Sequence, residues 1–389
     1  MTSNSVFVTD AQMRSSLAVV RSLGSKNIEV TAGETTNFAT SFFSKYCHNK
    51  VVYPSPIKNK NDFKEFLLTL VKKHNYALII PVADDVLEPI MEIEDELSRC
   101  TRIAIPSKDI FMKCYDKYNT LKIAEKNNIP CPKTYLINEI EDVLELKNIL
   151  SYPVVIKPRI SSGRRGVKIC MSAENLLADY VLVQKEYAYP LIQEYIPYGG
   201  ELGVYTLFNF ASKPRAFSVQ RRIRSYPIAG GPSTLRETIK NDDSKKAMSL
   251  AFNLLHSMNW TGVAMVEFRK DLRDGSLKLM EVNPRFWGSL QLSILAGIDF
   301  PYLLYKMFTD GDVEPITDYK AGIKCRWLLP GDLLWFASTP NKLKNFKEII
   351  RFDVPDDILS LNDFGPTLGF FSATIRFLFD KEMWKFIIR

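Results

Sequence analysis

The rhythm of apolar and polar positions changes twice along the chain. Over about the first 105 residues, short apolar runs alternate with segments of helical period. Ser5–Thr9, Ile28–Ala32, Ala77–Val82 and Arg102–Ile105 read as buried strands; 11–23, which stops at Gly24, 61–73 and Val86–Leu97 read as helices. This alternation predicts a small parallel sheet with helices on both faces. From Ser107, a plausible N-cap, the pattern is helical, with Leu121, Ile123 and Ala124 continuing the apolar face to about Lys126, and Asn127–Pro130 ending it. Strands follow at Pro153–Lys157, Val167–Cys170 and Leu191–Ile196, with an antiparallel pair at Gly203–Phe210 and Pro214–Gln220. An amphipathic helix over 242–258, capped by Asp242 or Asp243, precedes two helices closed by Gly297 and Gly311, the second opened by Asp299 and Pro301. The last 65 or so residues turn aromatic, and a terminal helix near 369–388 would be strongly apolar with Arg376, Lys381, Lys385 and Arg389 interspersed.

The segment Gly262–Arg285 contains two alternating stretches around a turn. Val263, Met265, Glu267 and Arg269 share one face; Leu277, Leu279, Glu281 and Asn283 share another. Arg273–Asp274–Gly275 suits a three-residue loop with Gly275 left-handed. That register sets Glu267 directly opposite Glu281, with Asn283 one step along. Facing carboxylates repel unless a cation or a shared proton intervenes, and an amide oxygen beside them favours a hard, oxygen-liganded cation such as Mg2+. A solvated hairpin would carry the same acids on its wet face. Here they sit among Val, Met and Leu, and Asn283–Pro284–Arg285 adds an amide and a guanidinium at one rim.

Composition narrows the function. A chain of 389 residues holds two or three domains. A net charge of +7 without a long basic run fits an enzyme that handles anions better than a nucleic-acid binder. The six cysteines are scattered with no C-x-x-C pair, and the three histidines never cluster; zinc, disulfides and a histidine-based site are not expected. The N-terminal segment lacks signal-peptide character and no apolar run approaches a membrane span, so a cytoplasmic location is expected. Thr9–Arg14 follows the first strand without G-x-G-x-x-G, which argues against NAD. Asp10, Arg14, Asp84 and Asp85 follow strand ends, where open α/β sheets place ligands, although caps and turns use the same residue types. Ser161–Gly166 joins two strands as a hairpin whose tip offers N–H groups to phosphate, and Lys157 just before it strengthens that reading. Arg221, Arg222 and Arg224 crowd a loop that contains Gly230–Gly231–Pro232.

Taken together, Asp116–Lys117, Val154–Pro158 with its Ser/Gly loop, Gln193–Ile196 with Glu201, the Glu267 strand and Glu281–Arg285 occur in the order that resembles the ATP-grasp superfamily of carboxylate ligases. The resemblance covers roughly residues 1–310. It implies an α/β, Rossmann-like pre-ATP-grasp domain (1–106) and an ATP-grasp domain (107–310) of two α+β subdomains, 107–196 and 197–310. An aromatic-rich C-terminal extension (311–389) follows. Family membership implies that Lys117 and Lys157 contact the ATP phosphates beneath a loop including Ser161, Ser162, Gly163 and Gly166. Glu194 and Ile196 would meet the adenine edge, Glu201 the ribose, and Glu267, Glu281 and Asn283 one or two Mg2+ ions (Mn2+ as a substitute). Arg285 would stabilise the transferred phosphoryl group and the tetrahedral intermediate.

The implied reaction converts a carboxylate to an acyl phosphate and joins it to an amine, as in stand-alone carboxylate–amine ligases or one carbamoyl-phosphate-synthase-like half. Arg164 and Arg165 make the loop more basic than the family's Gly/Ser norm. The alternatives are a carboxylase- or kinase-like enzyme acting on bicarbonate or a small acid, and a non-catalytic ATP-binding regulator; the complete Glu267, Glu281, Asn283 and Arg285 set argues against the latter. Small-molecule carboxylate and amine partners are expected, and no nucleic acid. The aromatic C-terminal region is expected to pack on the body or on a second subunit, compatible with a homodimer, with membrane contact as the minority reading.

Overall fold

The computed structural model describes residues 4–160, 165–228, 230–340, 342–351 and 353–379. Its first sheet consists of β1 (Ser5–Val8), β2 (Glu29–Glu34), β3 (Asn49–Val52), β4 (Leu78–Ile80) and β5 (Arg102–Ile103), all parallel in the order β3-β2-β1-β4-β5. Helices α1 (Arg14–Gly24), α2 (Lys60–Lys73), α3 (Asp84–Glu92) and α4 (Glu94–Ser98) complete the expected βα alternation. The sequence reading lacked β3, a short and mostly exposed edge strand in which Val51 and Val52 are adjacent and give neither an alternation nor a long apolar run. The single helix expected over Val86–Leu97 breaks at Ile93, whose backbone leaves the helical region. Strand order reverses between β1 and β4, which opens a crevice at their C-terminal ends. Asp10 and Asp84 sit there.

The second sheet contains β6 (Thr134–Tyr135), β7 (Val154–Lys157), β8 (Lys168–Cys170) and β9 (Leu191–Glu194), antiparallel in the order β6-β9-β7-β8. Before it come α5 (Lys108–Tyr115) and α6 (Lys117–Lys126), where the sequence suggested one helix; α7 (Ile140–Leu146) and α8 (Leu176–Gln184) pack within this unit. The break falls at Asp116, whose extended backbone frees its carboxylate to cap α6 by accepting from the Tyr118 N–H at 3.0 Å. Ser107 precedes α5 without a side-chain cap bond.

The third sheet is antiparallel: β10 (Tyr198–Phe208), β11 (Pro214–Ser225), β12 (Ser233–Thr238), β13 (Gly262–Asp271), β14 (Leu277–Asn283) and β15 (Lys324–Arg326), in the order β14-β13-β10-β11-β12-β15. Val204, Val266, Phe268, Trp260 and Trp287 fill the core beside it. Two expectations need correction. Arg221, Arg222 and Arg224 lie on β11, which runs on to Ser225, and not in a loop. Helix α9 (Asp242–Ser257) is capped by Asn241, which accepts from the Ser244 N–H at 2.9 Å; Asp242 and Asp243 occupy its first turn. Helices α10 (Leu290–Leu295) and α11 (Phe300–Asp310) end at Gly297 and Gly311 as expected, and Asp299 caps α11.

The chain continues through α12 (Leu333–Ser338) and α13 (Lys342–Ile349) to α14 (Gly365–Phe379). In α14, Gly365 and Gly369 press on Phe43 and Thr40 so closely that a Cβ at either position would collide. The terminal helix therefore packs on the first domain, while 380–389, including Trp384 and Phe386, lie outside the described residues. Among the described residues, no helix is long and apolar enough to cross a membrane.

Candidate active site

Strands β13 and β14 place Glu267 opposite Glu281 and Met265 opposite Asn283. The route to that register differs from the expected one. The turn holds four residues, Leu272–Gly275, closed by the Asp271 N–H on the Ser276 carbonyl at 2.8 Å; Gly275 is left-handed (φ 72°). The longer turn shifts the pairing by one residue. A bulge at Met280, where Phe268 already faces Leu279, shifts it back. The two deviations cancel at the glutamates.

Glu267 is half-buried on β13, and its carboxyl pKa is pushed up to about 7, first by desolvation and then by Glu281 and Glu201, against the pull of Arg222. Arg222 Nη2 stands 3.7 Å from Glu267 Oε1. The same guanidinium pairs with Glu201 at 2.5 Å, and Arg269 donates to the other Glu201 oxygen at 2.6 Å. The carboxylate expected to meet a ribose is thus already held between two arginines. Asn283 Nδ2 donates to Glu281 Oε1 at 2.9 Å, and its Oδ1 accepts from Arg285 Nη2 at 3.3 Å, which leaves that oxygen a second lone pair. Among the described residues no three His, Cys, Asp or Glu side chains form a metal-binding group; here the third oxygen is an amide. Two facing carboxylates, one with its pKa raised by burial and by its neighbour, fit a hard divalent cation.

Cations ring this pair. Lys157 ends β7 and is 7% exposed; burial, then the nearby Lys117 charge, pushes its ammonium pKa down to about 8, with Glu281 partly offsetting them. Lys117 opens α6, and burial holds its pKa below the ordinary lysine range despite Glu281, Asp84 and Asp116. Arg285 forms a bidentate pair with Asp84 (2.7 and 2.8 Å) and donates to the Phe286 carbonyl at 3.1 Å. A cleft of about 400 Å³ is lined by Tyr115, Lys117, Arg165, Glu281 and Asn283 together with Asp84, Asp85 and Glu88 of the first domain.

The fold thus gathers Lys117, Lys157, Glu267, Glu281, Asn283 and Arg285. Gly166 is left-handed (φ 73°), and a Cβ there would strike the Tyr187 ring and Pro158, so the end of the loop needs glycine. Ser161, Ser162 and Gly163 lie outside the described residues. At the end of β9, the Glu194 N–H is taken by the Lys133 carbonyl at 2.8 Å, and the Glu194 carboxylate pairs with Arg273. Ile196 is buried and makes no backbone hydrogen bond among the described residues. Three residues enter this network in other roles than the sequence suggests: Arg222, expected to face an anionic substrate, Asp84, expected only as a strand-end ligand or cap position, and Arg269, expected only to share the Glu267 face. Reading β11 through to Ser225 would have put Arg222 on the face of Gln220, towards the glutamates. Asp84 follows a strand end, where open α/β sheets place ligands, and nothing local ties it to Arg285.

Two family models match in succession: "RimK-like ATP-grasp domain" over residues 114–207 and "ATP-grasp in the biosynthetic pathway with Ter operon" over 205–329. Among curated proteins, the chain is similar to formate-dependent phosphoribosylglycinamide formyltransferase of Wolinella succinogenes, 25% identical over 245 residues, and to D-aspartate ligase of Enterococcus faecium, 24% identical over 259. The first alignment spans 60% of each chain and the second 61% of each. Among solved structures, a biotin carboxylase–β-γ-ATP complex from Campylobacter jejuni shares the fold at TM-score 0.71 and 14% identity, over 82% of this chain and 74% of that one. An L-amino acid ligase from Bacillus licheniformis does so at TM-score 0.63 and 16% identity, over 80% and 75%. With two ATP-grasp models spanning the second and third sheets, the chain belongs to the ATP-grasp superfamily.

Proposed function

We propose that the protein is an ADP-forming ligase that activates a small-molecule carboxylate with ATP and joins it to an amine. The observation that carries this reading is the Glu267–Glu281 pair: Glu281 and Asn283 line the cleft with Lys117, and Arg285 is bonded to Asn283 and to Asp84 on that lining. Phosphoryl transfer needs positioning and charge neutralisation more than covalent help from the protein, and this donor set supplies both. Glu267, Glu281 and Asn283 would hold one or two Mg2+ ions, with Mn2+ as a substitute, and the metal when bound supplies neutralisation of phosphate charge.

In the first step a carboxylate oxygen attacks the γ-phosphorus, and the β–γ bridging bond breaks with its electron pair leaving on ADP. In the second, the amine nitrogen attacks the acyl carbon, the bond to phosphate oxygen breaks, inorganic phosphate leaves with the pair, and the nitrogen loses a proton. Lys117 and Lys157 bear on the phosphates, and Arg285 on the transferred phosphoryl group. Glu194 and Ile196 present backbone to the adenine edge, and Glu201 serves the ribose from within its arginine pair. The Ser161, Ser162, Gly163 and Gly166 loop covers the phosphates and keeps water from the acyl phosphate. Ligases stand among the similar proteins, D-aspartate ligase by sequence and the L-amino acid ligase by fold. We assign the protein to the cytoplasm, as a monomer or homodimer.

Incubation with Mg-ATP and pooled amino acids, dipeptides and small acids, with ADP, AMP and new masses measured together, tests the proposal. ADP, phosphate and a condensed product are expected. AMP in place of ADP would refute the acyl-phosphate route, and ADP without any condensed mass would favour a kinase-like enzyme.

A further inference from the structure

We infer that Asp84, contributed by the first domain, is a positioning residue that fixes the Arg285 guanidinium at the transferred phosphoryl group. This rests on the role proposed above for Arg285. A guanidinium carries five N–H donors in a rigid fork, so its aim is set by how many are held. Asp84 takes two: Nε to Oδ1 at 2.7 Å and Nη2 to Oδ2 at 2.8 Å. The Phe286 carbonyl takes one from Nη1 at 3.1 Å, and Asn283 Oδ1 takes the second from Nη2 at 3.3 Å. Among the described residues one Nη1 hydrogen has no partner, and these four bonds fix the plane of the fork.

The scaffold suits this task. Asp84 is the first residue of α3, directly after β4, at the crevice where strand order reverses. Burial opposes its charge, but Arg285, Lys117 and Arg165 outweigh burial and hold the carboxyl below its ordinary range. The link continues through Arg285 and Asn283 to Glu281 Oε1, so a first-domain carboxylate is coupled to the glutamate pair on β13 and β14. Without Asp84, Arg285 would keep only the longer contact to Asn283 and one backbone carbonyl, and its long side chain would sample other rotamers. The first domain is then part of the catalytic centre and not only a neighbour of the cleft.

The test compares calorimetric affinity for MgADP with that for MgADP plus fluoroaluminate, a planar mimic of the phosphoryl group in flight. Wild type, Asp84→Asn, Asp84→Glu, Arg285→Lys and the Asp84→Asn/Arg285→Lys pair are measured together with their thermal midpoints. Wild type is expected to bind the fluoroaluminate complex more tightly than MgADP alone. Asp84→Asn should lose about tenfold to a hundredfold of that preference, the range for outer-shell partners of metal ligands; any change in MgADP affinity common to both complexes cancels in this ratio, and the midpoint should fall modestly as the Arg285 pair loses its charge. Asp84→Glu should restore part of the preference, and the double variant should be no worse than Arg285→Lys. Full preference in Asp84→Asn would overturn the inference. A stronger preference would also overturn it, since Asp84 would then be a placeholder that the phosphoryl group displaces. No preference in the wild type would instead refute the phosphoryl-transfer reading, and the role of Arg285 with it.

Discussion

Two buried charge clusters in this chain use the same side chains to opposite ends. At Asp357, one carboxylate lies between two arginines: Arg14 Nη1 donates to Oδ2 at 2.6 Å and Arg236 to Oδ1. Arg14 also stacks on Trp327 at 3.9 Å, and Arg236 and Asp357 are 1% exposed. That cluster ties α1, β12 and the C-terminal segment together and is closed to solvent at its centre. At Glu267 the balance is reversed. Two carboxylates face each other, the nearest cation to Glu267 stands at 3.7 Å and is shared with Glu201, and Glu281 opens onto the cleft. The first cluster carries its own counter-charge. In the second, no cation among the described residues stands closer to Glu267 than 3.7 Å, and that gap is where an outside cation fits.

This contrast predicts different failures. Asp357→Ala should give the largest loss of stability, about 3–5 kcal/mol, because it strands two buried guanidiniums; a lower urea midpoint measures it, and an unchanged midpoint would remove the distinction between the clusters. Glu281→Gln should leave the urea midpoint within error while lowering Mg-dependent ADP production by about a hundredfold or more, at or beyond the range for outer-shell partners. Lys157→Ala should weaken Mg-ATP binding by about 1.5–3 kcal/mol, the usual worth of a hydrogen bond to a charged group, read by calorimetry.

The smallest effect is a pH dependence. Lys157 loses its proton near pH 8 in the free protein, and phosphate binds the protonated form. Binding raises its pKa, so affinity is full below about 8 and falls as pH rises beyond it. The fall is at most about tenfold per pH unit for one proton. Lys157→Arg should flatten that profile between pH 7 and 9.

Much of this was legible in the sequence because the strongest elements are local. The βα alternation of the first domain rests on apolar runs such as Ser5–Thr9, and β7 on Val154–Lys157, which the structure keeps. Strand β3 was lost because its exposed edge carries no pattern, and β12 because its six residues include a buried arginine, Arg236, whose partner Asp357 is 121 residues away. The Glu267–Glu281 pairing was readable, yet the reading rested on a shorter turn and no bulge, so it held only because Met280 absorbed the difference. The Asp84–Arg285 pair spans 201 residues and two domains. No local signal encodes such a pair; only the docking of the first domain brings it together.

The central claim is that Glu267 and Glu281 form a cation site. Mn2+ titrated into the chelator-treated protein with ADP, at pH 8 and followed by electron paramagnetic resonance, tests it most directly. Wild type should bind Mn2+ that Mg2+ displaces, and Glu281→Gln and Glu267→Gln should each lose that binding while ADP affinity without metal stays the same. Equal Mn2+ binding by wild type and both variants would contradict the account.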